Sequence, residues 1–350
     1  MTLAGPVITD SEVTFRLGDP DGTLAGVRLA QGIGVPGDRV EFDRAGGGWL
    51  LRLPRPPVWR MEYRLALRHP DGGVEEICDP GNPVRAPGAF GEKSVLEFPE
   101  YRPPGWLEQP GVAGDVQWLS VPSRLLGAAV EVRLWAPADA GAGEPLPLLV
   151  AHDGPEYADL AGLLTFAAAQ IRAGRLPRHR VALLSPGDRN EWYAANVGYA
   201  RALTLAVLPA LHRAVRVRGP VVGLGASLGG LAMVHAQRRH DTAFGALFVQ
   251  SGSFFDRRLD PQERGFPRFA RITRFVGDTL RHTLLPAPIP VTMTCGVAEE
   301  NLANNRQFAA ALADEGYPVR LVEVPDAHNY VAWRDAFDPA LVDLLGTVWA

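Results

Sequence analysis

Residues 221–230 read Val-Val-Gly-Leu-Gly-Ala-Ser-Leu-Gly-Gly, and residues 231–236 continue as Leu-Ala-Met-Val-His-Ala. The first stretch is an apolar run that ends in Gly-x-Ser-x-Gly, and the second is compatible with a helix. A strand, a sharp turn and a helix around such a serine form a nucleophile elbow, which projects the hydroxyl above a sheet. Side chains at Gly225 and Gly229 would collide with the neighbouring strand and helix. The stretch therefore predicts that Ser227 is a nucleophile, and a tight glycine turn with an incidental serine is the alternative.

The composition is typical of a globular protein with two domains. The chain has 350 residues, of which 47% are hydrophobic and 21% are charged, as a packed core requires. The formal net charge of -4 gives no reason to expect a nucleic-acid partner. Cys78 and Cys295 do not suggest a disulfide framework. We see neither a secretory signal nor an apolar run that spans a bilayer, so we expect a cytoplasmic protein without a membrane partner.

The pattern of strands changes within the first third of the chain. Short alternating segments between residues 13 and 99 are separated by Gly, Pro and Asp, which predicts an antiparallel β-sandwich. Residues 101–106, Tyr-Arg-Pro-Pro-Gly-Trp, lack periodicity and mark a domain boundary. Beyond them, apolar strands such as 146–151 alternate with helical segments, which predicts a mostly parallel sheet buried on both faces. We therefore expect an amino-terminal domain at 1–107 and a catalytic domain at 108–350.

A serine hydroxyl at neutral pH needs a base before it can attack a substrate. Because parallel sheets carry their sites at the carboxyl ends of the strands, the base should lie in a loop that follows a strand. His328 follows the strand predicted at 319–324 and is the best candidate, with a solvated loop histidine as the alternative. His282 lies in an Arg-rich insertion, and His235 lies about two turns beyond Ser227 on the elbow helix. We therefore predict that His328 is the base.

The base needs an acid that orients it, and in this kind of site the acid lies between the nucleophile and the histidine along the chain. Glu299 and Glu300 follow the strand predicted at 290–296. Glu299 is the first choice and Glu300 the second, although both side chains could serve only to cap the next helix. Asp326 is a weaker candidate, because it is too close to His328 along the loop.

The oxyanion of an acyl-transfer reaction needs two backbone donors. One is the N–H of Leu228, directly after the predicted nucleophile. The other should come from the loop after the strand at 148–150, where His-Asp-Gly stands at 152–154. Gly154 is the candidate donor. His152 and Asp153 could be mistaken for members of a triad, but their position before the elbow suits the oxyanion loop better.

Two further side chains could touch a substrate. Arg189 and Trp192 follow the strand predicted at 181–184. An arginine can pair with an anionic or catecholate group, and a tryptophan can stack on a ring. A structural salt bridge with packing between domains is the alternative interpretation for both. Asp153 and Glu300 are additional candidates for contact with the substrate.

Several stretches together resemble one known family. They are 152–154, 186–196, 225–230, 250–254, 328–329 and 333–334, with 79–83 and 94–97 in the amino-terminal part. This set resembles the enterochelin esterase family, within the esterase D-like group of α/β-hydrolases, and it covers nearly the whole chain. The resemblance implies an α/β-hydrolase fold that follows an immunoglobulin-like β-sandwich domain.

The resemblance also implies a function. It carries the family's serine and histidine onto Ser227 and His328, and its acid onto Glu299. The chain departs from the family at Asp326-Ala327, where a Gly-Gly pair is common. Family members cleave the ester bonds of catecholate siderophores, so the expected activity is that of a serine carboxylic-ester hydrolase acting on a small-molecule ester, such as a ferric siderophore, without a metal or organic cofactor. Another acyl or aryl ester, such as a carbohydrate ester, is the first alternative. An inactive binding protein is the second, and the oligomeric state stays open.

Overall fold

A computed structural model describes residues 5–34, 39–283 and 286–350. Contacts divide the described chain into two compact units. The first unit contains the described residues up to Arg102, together with Gly296–Glu300 and Val324–Ala332. The second unit contains the rest. The domain limits predicted from the sequence follow chain order, whereas the units assign these two short segments to the amino-terminal part.

The first unit contains two antiparallel sheets, with β1–β2–β5–β4 as the order of one and β3–β6–β9–β8 as the order of the other, and β7 pairs with β6. Short strands broken by Gly, Pro and Asp predict this organisation. The strands are β1 Val7–Ile8, β2 Glu12–Gly18, β3 Gly26–Gln31, β4 Asp43–Ala45, β5 Gly48–Pro54, β6 Arg60–Arg68, β7 Val74–Ile77, β8 Arg85–Ala86 and β9 Lys93–Glu97.

One hydrophobic core is shared by these two sheets. Side chains alternate between the faces of a strand, and Phe15 of β2 and Leu51 of β5 point into this core together with Tyr63 of β6. The rings of Phe15 and Tyr63 meet edge to face, with their centroids 5.1 Å apart. Ala327, from the segment Val324–Ala332, belongs to the same cluster. The segment is therefore built into the core of the first unit.

The remaining strands of the described chain form one mixed sheet of eight strands, in the order β10–β11–β13–β12–β14–β15–β16–β17. The strands are β10 Gly114–Ser123, β11 Ala128–Pro137, β12 Leu148–Ala151, β13 Arg180–Leu184, β14 Val222–Ala226, β15 Ala246–Gln250, β16 Val291–Gly296 and β17 Val319–Val324. The block from β13 to β16 is parallel, and β10 and β11 are antiparallel. The chain therefore has an α/β fold with a large mixed sheet.

Helices connect the parallel strands, as the alternation of apolar and helical segments predicts. They are α1 Gly154–Asp159, α2 Leu163–Arg172, α3 Arg189–Trp192, α4 Val197–Ala202, α5 Leu208–Ala214, α6 Leu228–Arg239, α7 Phe269–Leu280, α8 Leu302–Asp314, α9 Tyr330–Asp335 and α10 Val342–Val348. Short 3-10 helices lie at Gly105–Glu108 and Pro261–Gly265, and π-helical turns lie at Leu203–Val207 and Phe337–Leu341. Every residue of β12, β13, β14, β15 and β16 is buried.

Candidate active site

The predicted strand, sharp turn and helix are present around Ser227. β14 ends at Ala226, and α6 begins at Leu228. Ser227 has φ 55° and ψ -126°, a conformation that residues other than glycine rarely adopt and that costs on the order of 1–3 kcal/mol. Its N–H donates to the carbonyl of Gln250 at 2.9 Å. The strained turn is thus tied to the neighbouring strand β15 by the main chain.

Glycine is required at two positions of this turn for reasons of space. A Cβ at Gly225 would lie 2.5 Å from the carbonyl carbon and oxygen of Gly229. A Cβ at Gly230 would lie 2.9 Å from a methyl group of Val249, in β15. At Gly229 the neighbour would be His152, 3.1 Å away. The sequence-based prediction of collisions with strand and helix is therefore correct for Gly225, while Gly229 instead faces the loop that follows β12.

The hydroxyl of Ser227 has a neighbour that the sequence did not reveal. Its Oγ lies 3.1 Å from the Oγ of Ser253, and the N–H of Ser253 donates to the carbonyl of Ser227 at 3.1 Å. The side chain of Asn305 holds the loop at Gly252, since it accepts from the Gly252 N–H at 3.0 Å and donates to the Gly252 carbonyl at 2.8 Å. The only signal in the sequence was that Ser253 follows the end of a strand.

Both predicted oxyanion donors stand at the beginning of helices. Leu228 is the first residue of α6, and Gly154 is the first residue of α1, after Asp153 in a left-handed conformation with φ 48°. The first N–H groups of a helix have no partner within that helix. A Cβ at Gly154 would lie 2.4 Å from the Cα of Leu183, so the loop passes too close to β13 for any other residue. Their roles as donors remain predictions.

Both ring nitrogens of His152 are hydrogen-bonded to other groups of the protein, which is not the environment of a base. Its Nδ1 donates to the carbonyl of Gly229 at 2.8 Å, and its Nε2 accepts from the hydroxyl of Tyr199 at 2.8 Å. The ring also stacks on Tyr193, with centroids 4.4 Å apart. Burial lowers the pKa of His152 to about 4. The imidazole therefore stays neutral and connects the oxyanion loop to the start of α6.

Arg189 and Asp153 form a salt bridge. The guanidinium donates through Nε and Nη2 to both carboxylate oxygens of Asp153, each at 2.8 Å. The Asp153 side chain is 3% exposed and that of Arg189 is 35% exposed. This is the structural salt bridge that the sequence left open for Arg189, and contact of Arg189 or Asp153 with a substrate stays a prediction.

Trp192 packs in the core of the second unit, and contact of its ring with a substrate stays a prediction. It is 6% exposed, and its ring stacks on Tyr199 with centroids 5.7 Å apart. Gly187 makes room for the indole, since a Cβ there would lie 2.3 Å from the ring. An aromatic residue after a strand end can point inward or outward, and here the packing places most of the ring inside.

His328 and Glu299 are brought together within the first unit. The Nδ1 of His328 donates to Oε2 of Glu299 at 2.8 Å. The other oxygen of Glu299 accepts from the N–H of Gly296 at 2.8 Å. The Glu299 side chain is 1% exposed, and that of His328 is 35% exposed. A carboxylate on Nδ1 fixes the tautomer in which Nε2 is the basic nitrogen, as a general base requires.

The other acidic candidates are placed elsewhere. Glu300 is exposed. Asp326 is buried and turns toward its own loop, where its Oδ1 accepts from the N–H of Ala327 at 2.7 Å and from Nδ2 of Asn329 at 2.9 Å. We call the segment Val324–Ala332 the histidine loop. Asp326 thus closes the turn that carries His328.

Two observations concern the described residues as a whole. Among them, no three His, Cys, Asp or Glu side chains form a group that could hold a metal ion. No helix in the described ranges is both long enough and apolar enough to cross a membrane.

A family model matches most of the chain. It is that of the Esterase family, described as "Putative esterase", and it covers residues 123–344. No curated protein sequence matches the chain.

Solved structures show the same fold at low sequence identity. Ferric enterobactin esterase from Salmonella typhimurium is similar over 99% of this chain and 97% of its own, with a TM-score of 0.79 and 19% identity. Enterobactin esterase from Shigella flexneri, in the presence of enterobactin, is similar over 98% of this chain and 96% of its own, with a TM-score of 0.78 and 20% identity. A ferulic acid esterase covers 67% of this chain and 98% of its own, with a TM-score of 0.57 and 18% identity.

Proposed function

Because the chain belongs to the esterase family and is a carboxylic-ester hydrolase, we propose that it is a serine esterase with Ser227 as nucleophile, His328 as base and Glu299 as the orienting acid. The observation that carries this proposal is the strained conformation of Ser227 between β14 and α6, because such strain persists where it serves a function. The contact of 2.8 Å between His328 and Glu299 supports the other two roles.

The proposed reaction has two halves. The Oγ of Ser227 attacks the ester carbonyl carbon while Nε2 of His328 takes the hydroxyl proton. The N–H groups of Leu228 and Gly154 stabilise the negative oxygen of the tetrahedral intermediate. As the bond to the alcohol breaks, His328 gives its proton to the leaving oxygen and an acyl-enzyme remains. Water then attacks the acyl carbon while His328 takes a proton from it. As the bond from the acyl carbon to Ser227 breaks, His328 gives that proton to the Oγ of Ser227 and the acid leaves. Glu299 stays ionised throughout.

We propose that the substrate is an ester of a catecholate siderophore, with the iron as cargo. The enterobactin esterases match 98–99% of this chain, so the likeness includes the first unit. The ferulic acid esterase covers 67% of this chain. The first unit is therefore a feature shared with the siderophore esterases, and this favours a siderophore over another acyl or aryl ester. We further propose that this unit is an immunoglobulin-like β-sandwich domain and that the domain limits lie at 1–107 and 108–350.

The nucleophile is tested by labelling the full-length protein with a fluorophosphonate and mapping the modified residue by mass spectrometry. We expect modification of Ser227, and for Ser227→Ala both loss of the label and a fall in ester hydrolysis of about 10⁴-fold or more. Ser253→Ala is the matched control, because Ser253 contacts the Ser227 hydroxyl but has no covalent role. It should keep the label on Ser227. Undiminished hydrolysis by Ser227→Ala would overturn the proposal.

The substrate is tested separately. We expect kcat/KM for ferric enterobactin to exceed that for methyl ferulate and for an acetylated sugar at the same pH. A preference for methyl ferulate or the acetylated sugar would contradict the siderophore proposal and leave the serine esterase proposal intact.

A further inference from the structure

Arg60 is a buried cation at the start of β6. It is 2% exposed, and arginine is almost never fully buried unless it is paired. Its Nη2 donates to Oε1 of Glu62 at 2.8 Å. Its Nη1 donates to Oδ1 of Asn329 at 3.3 Å and lies 3.8 Å from Oδ2 of Asp326. One side chain of the amino-terminal sequence thus contacts two side chains of the histidine loop.

Those two loop residues lie close to His328 on both sides. Asp326 closes the turn before it through the N–H of Ala327. Asn329 follows it directly, and its Oδ1 also accepts from the N–H of Ala332 at 2.8 Å, inside α9. The conformation of the turn around His328 is therefore held by side chains that Arg60 contacts.

The main chain makes the same connection. The N–H of Trp59, the residue before Arg60, donates to the carbonyl of Pro325 at 2.7 Å. The N–H of Ala298 donates to the carbonyl of Asp326 at 3.3 Å, which links the loop that carries Glu299 to the histidine loop. The start of β6 and both loops thus form one hydrogen-bonded assembly within the first unit.

Charge makes this assembly sensitive to the loss of Arg60. Arg60 and Lys93 face the carboxylates of Glu62 and Asp326, with Lys93 Nζ 3.5 Å from Oε2 of Glu62. Burial lowers the pKa of Arg60, but the carboxylates of Glu62 and Asp326 raise it by more than burial lowers it. The net shift of the pKa is therefore upward. Two cations balance two carboxylates here. Removal of Arg60 would leave an uncompensated negative charge beside the histidine loop, which is strongly unfavourable in a buried site.

We propose that Arg60 is a positioning residue, which holds the histidine loop so that the imidazole of His328 stays on Glu299. The inference rests on the proposed function, because it assigns a role to a residue behind the proposed base. Arg60 does not touch a reacting atom in this scheme. It acts through Asp326 and Asn329, and Arg60 and Asn329 are separated by 269 positions in the sequence.

The test compares Arg60→Gln with Arg60→Lys and Tyr63→Phe in the full-length protein. Tyr63 lies on the same strand and is 0% exposed, and its hydroxyl donates to Asp79 at 2.7 Å. Tyr63→Phe therefore removes a buried hydroxyl of the same unit whose hydrogen-bond partners, Asp79 and Asn82, lie outside the histidine loop. A displacement of a catalytic group by about 1 Å can cost about 100-fold in rate. We expect Arg60→Gln to lower kcat by about 10- to 100-fold with KM changed by less than about threefold.

Three further readouts separate positioning from mere stability. Arg60→Gln should alter the pH profile of kcat/KM, and it should shift or remove the downfield proton resonance of His328 Nδ1. Arg60→Lys, which keeps the charge, should recover part of kcat. Tyr63→Phe should lower the unfolding temperature and leave kcat, the pH profile and the resonance unchanged.

A folded Arg60→Gln protein with the kcat, pH profile and resonance of the wild type would overturn the inference. Equal losses of kcat in Arg60→Gln and Tyr63→Phe would overturn it as well. If Arg60→Gln does not fold, Asn329→Ala, which removes one acceptor of Arg60, is judged by the same readouts. The proposed function is judged independently by Ser227→Ala. If that variant is inactive while the Arg60 variants behave as wild type, only the inference about Arg60 fails.

Discussion

The elbow at residues 222–230 and the histidine loop at Val324–Ala332 are held in place by different kinds of interaction. The elbow is held by its main chain, through the hydrogen bond from Ser227 to Gln250 and through the close approach that Gly225 permits. The histidine loop is held by side chains and buried charge, with Asp326 closing its turn and Arg60 behind it. The elbow and the histidine loop are thus stabilised by different interactions, the first by its main chain and the second by side chains.

This difference has a physical consequence. A turn held by backbone packing responds to added volume, because protein interiors are close-packed. A loop held by charged side chains responds to changes of charge and protonation, because an unpaired buried charge is costly. The two regions should therefore fail under different substitutions.

The largest effect should come from charge at the histidine loop. Glu299→Gln keeps the shape but replaces the carboxylate that holds the Nδ1 proton of His328, and we expect a fall in kcat of about 10³- to 10⁴-fold. Glu300→Gln is the matched control and should stay within about threefold of the wild type, as is usual for a substitution on the surface. Steady-state kinetics on one ester measure both. The reverse pattern would identify Glu300 as the acid.

Added volume should break the elbow. Gly225→Ala places a methyl group 2.5 Å from backbone atoms of Gly229, and we expect a loss of about 3 kcal/mol in the free energy of unfolding, together with loss of fluorophosphonate labelling. Gly346→Ala is the control, because no heavy atom lies within 4 Å of a Cβ at that position of α10. It should stabilise the protein by about 0.5–1 kcal/mol, as expected inside a helix. Urea unfolding measures both. Equal effects would show that packing at the elbow is not tight.

Acid should sharpen the comparison, because the pKa of Asp326 in the histidine loop and that of His152, which contacts the elbow at Gly229, are shifted in opposite directions. Burial raises the pKa of Asp326 from 3.8 to about 6, against the opposing effect of Arg60. As the pH rises, Asp326 therefore ionises at a lower pH in the unfolded chain than in the folded protein. The stabilisation that is present below pH 3.8 is lost by about pH 6. From pH 7 to pH 4, wild type should gain about 2 kcal/mol of stability relative to Asp326→Asn.

For His152, which contacts the elbow at Gly229, the sign is reversed. Burial lowers the pKa of His152 from 6.5 to about 4, so the unfolded chain takes up the proton first as the pH falls, and stability is lost between pH 6.5 and pH 4. From pH 7 to pH 4, wild type should lose about 3 kcal/mol relative to His152→Gln. Urea unfolding at the two pH values measures both differences. Changes of the same sign in the two pairs would contradict this account.

The sequence predicted the features that depend on local pattern. The strand, turn and helix around Ser227 follow from ten residues whose glycines permit the close approaches that this turn requires. Alternation of apolar residues in β2 predicts which side chains enter the core. The order of nucleophile, acid and base along the chain led to Glu299 and His328, which the structure places in contact.

The rest depended on contacts between distant segments. Nothing near Arg60 in the chain marks it as a contact of the histidine loop, because its partners Asp326 and Asn329 lie more than half the chain away. The sequence does not distinguish Ser253 from other loop residues, and its contact with Ser227 depends on the conformation of the turn at Ser227. Both interpretations of Trp192 stayed open in the sequence, because a short sequence pattern does not show which way a ring points.

Lys93 is the only lysine in the chain. Its amine forms a salt bridge with Glu62, which in turn forms one with Arg60. Its side chain is 40% exposed. An amine-reactive dye should therefore attach at Lys93 and at the terminal amine alone. The dye on Lys93 would be a fluorescent reporter close to Glu62 and Arg60. The same chemistry makes amine-coupled surfaces a poor choice for immobilising this enzyme, since attachment would neutralise one of the two cations that balance the buried carboxylates.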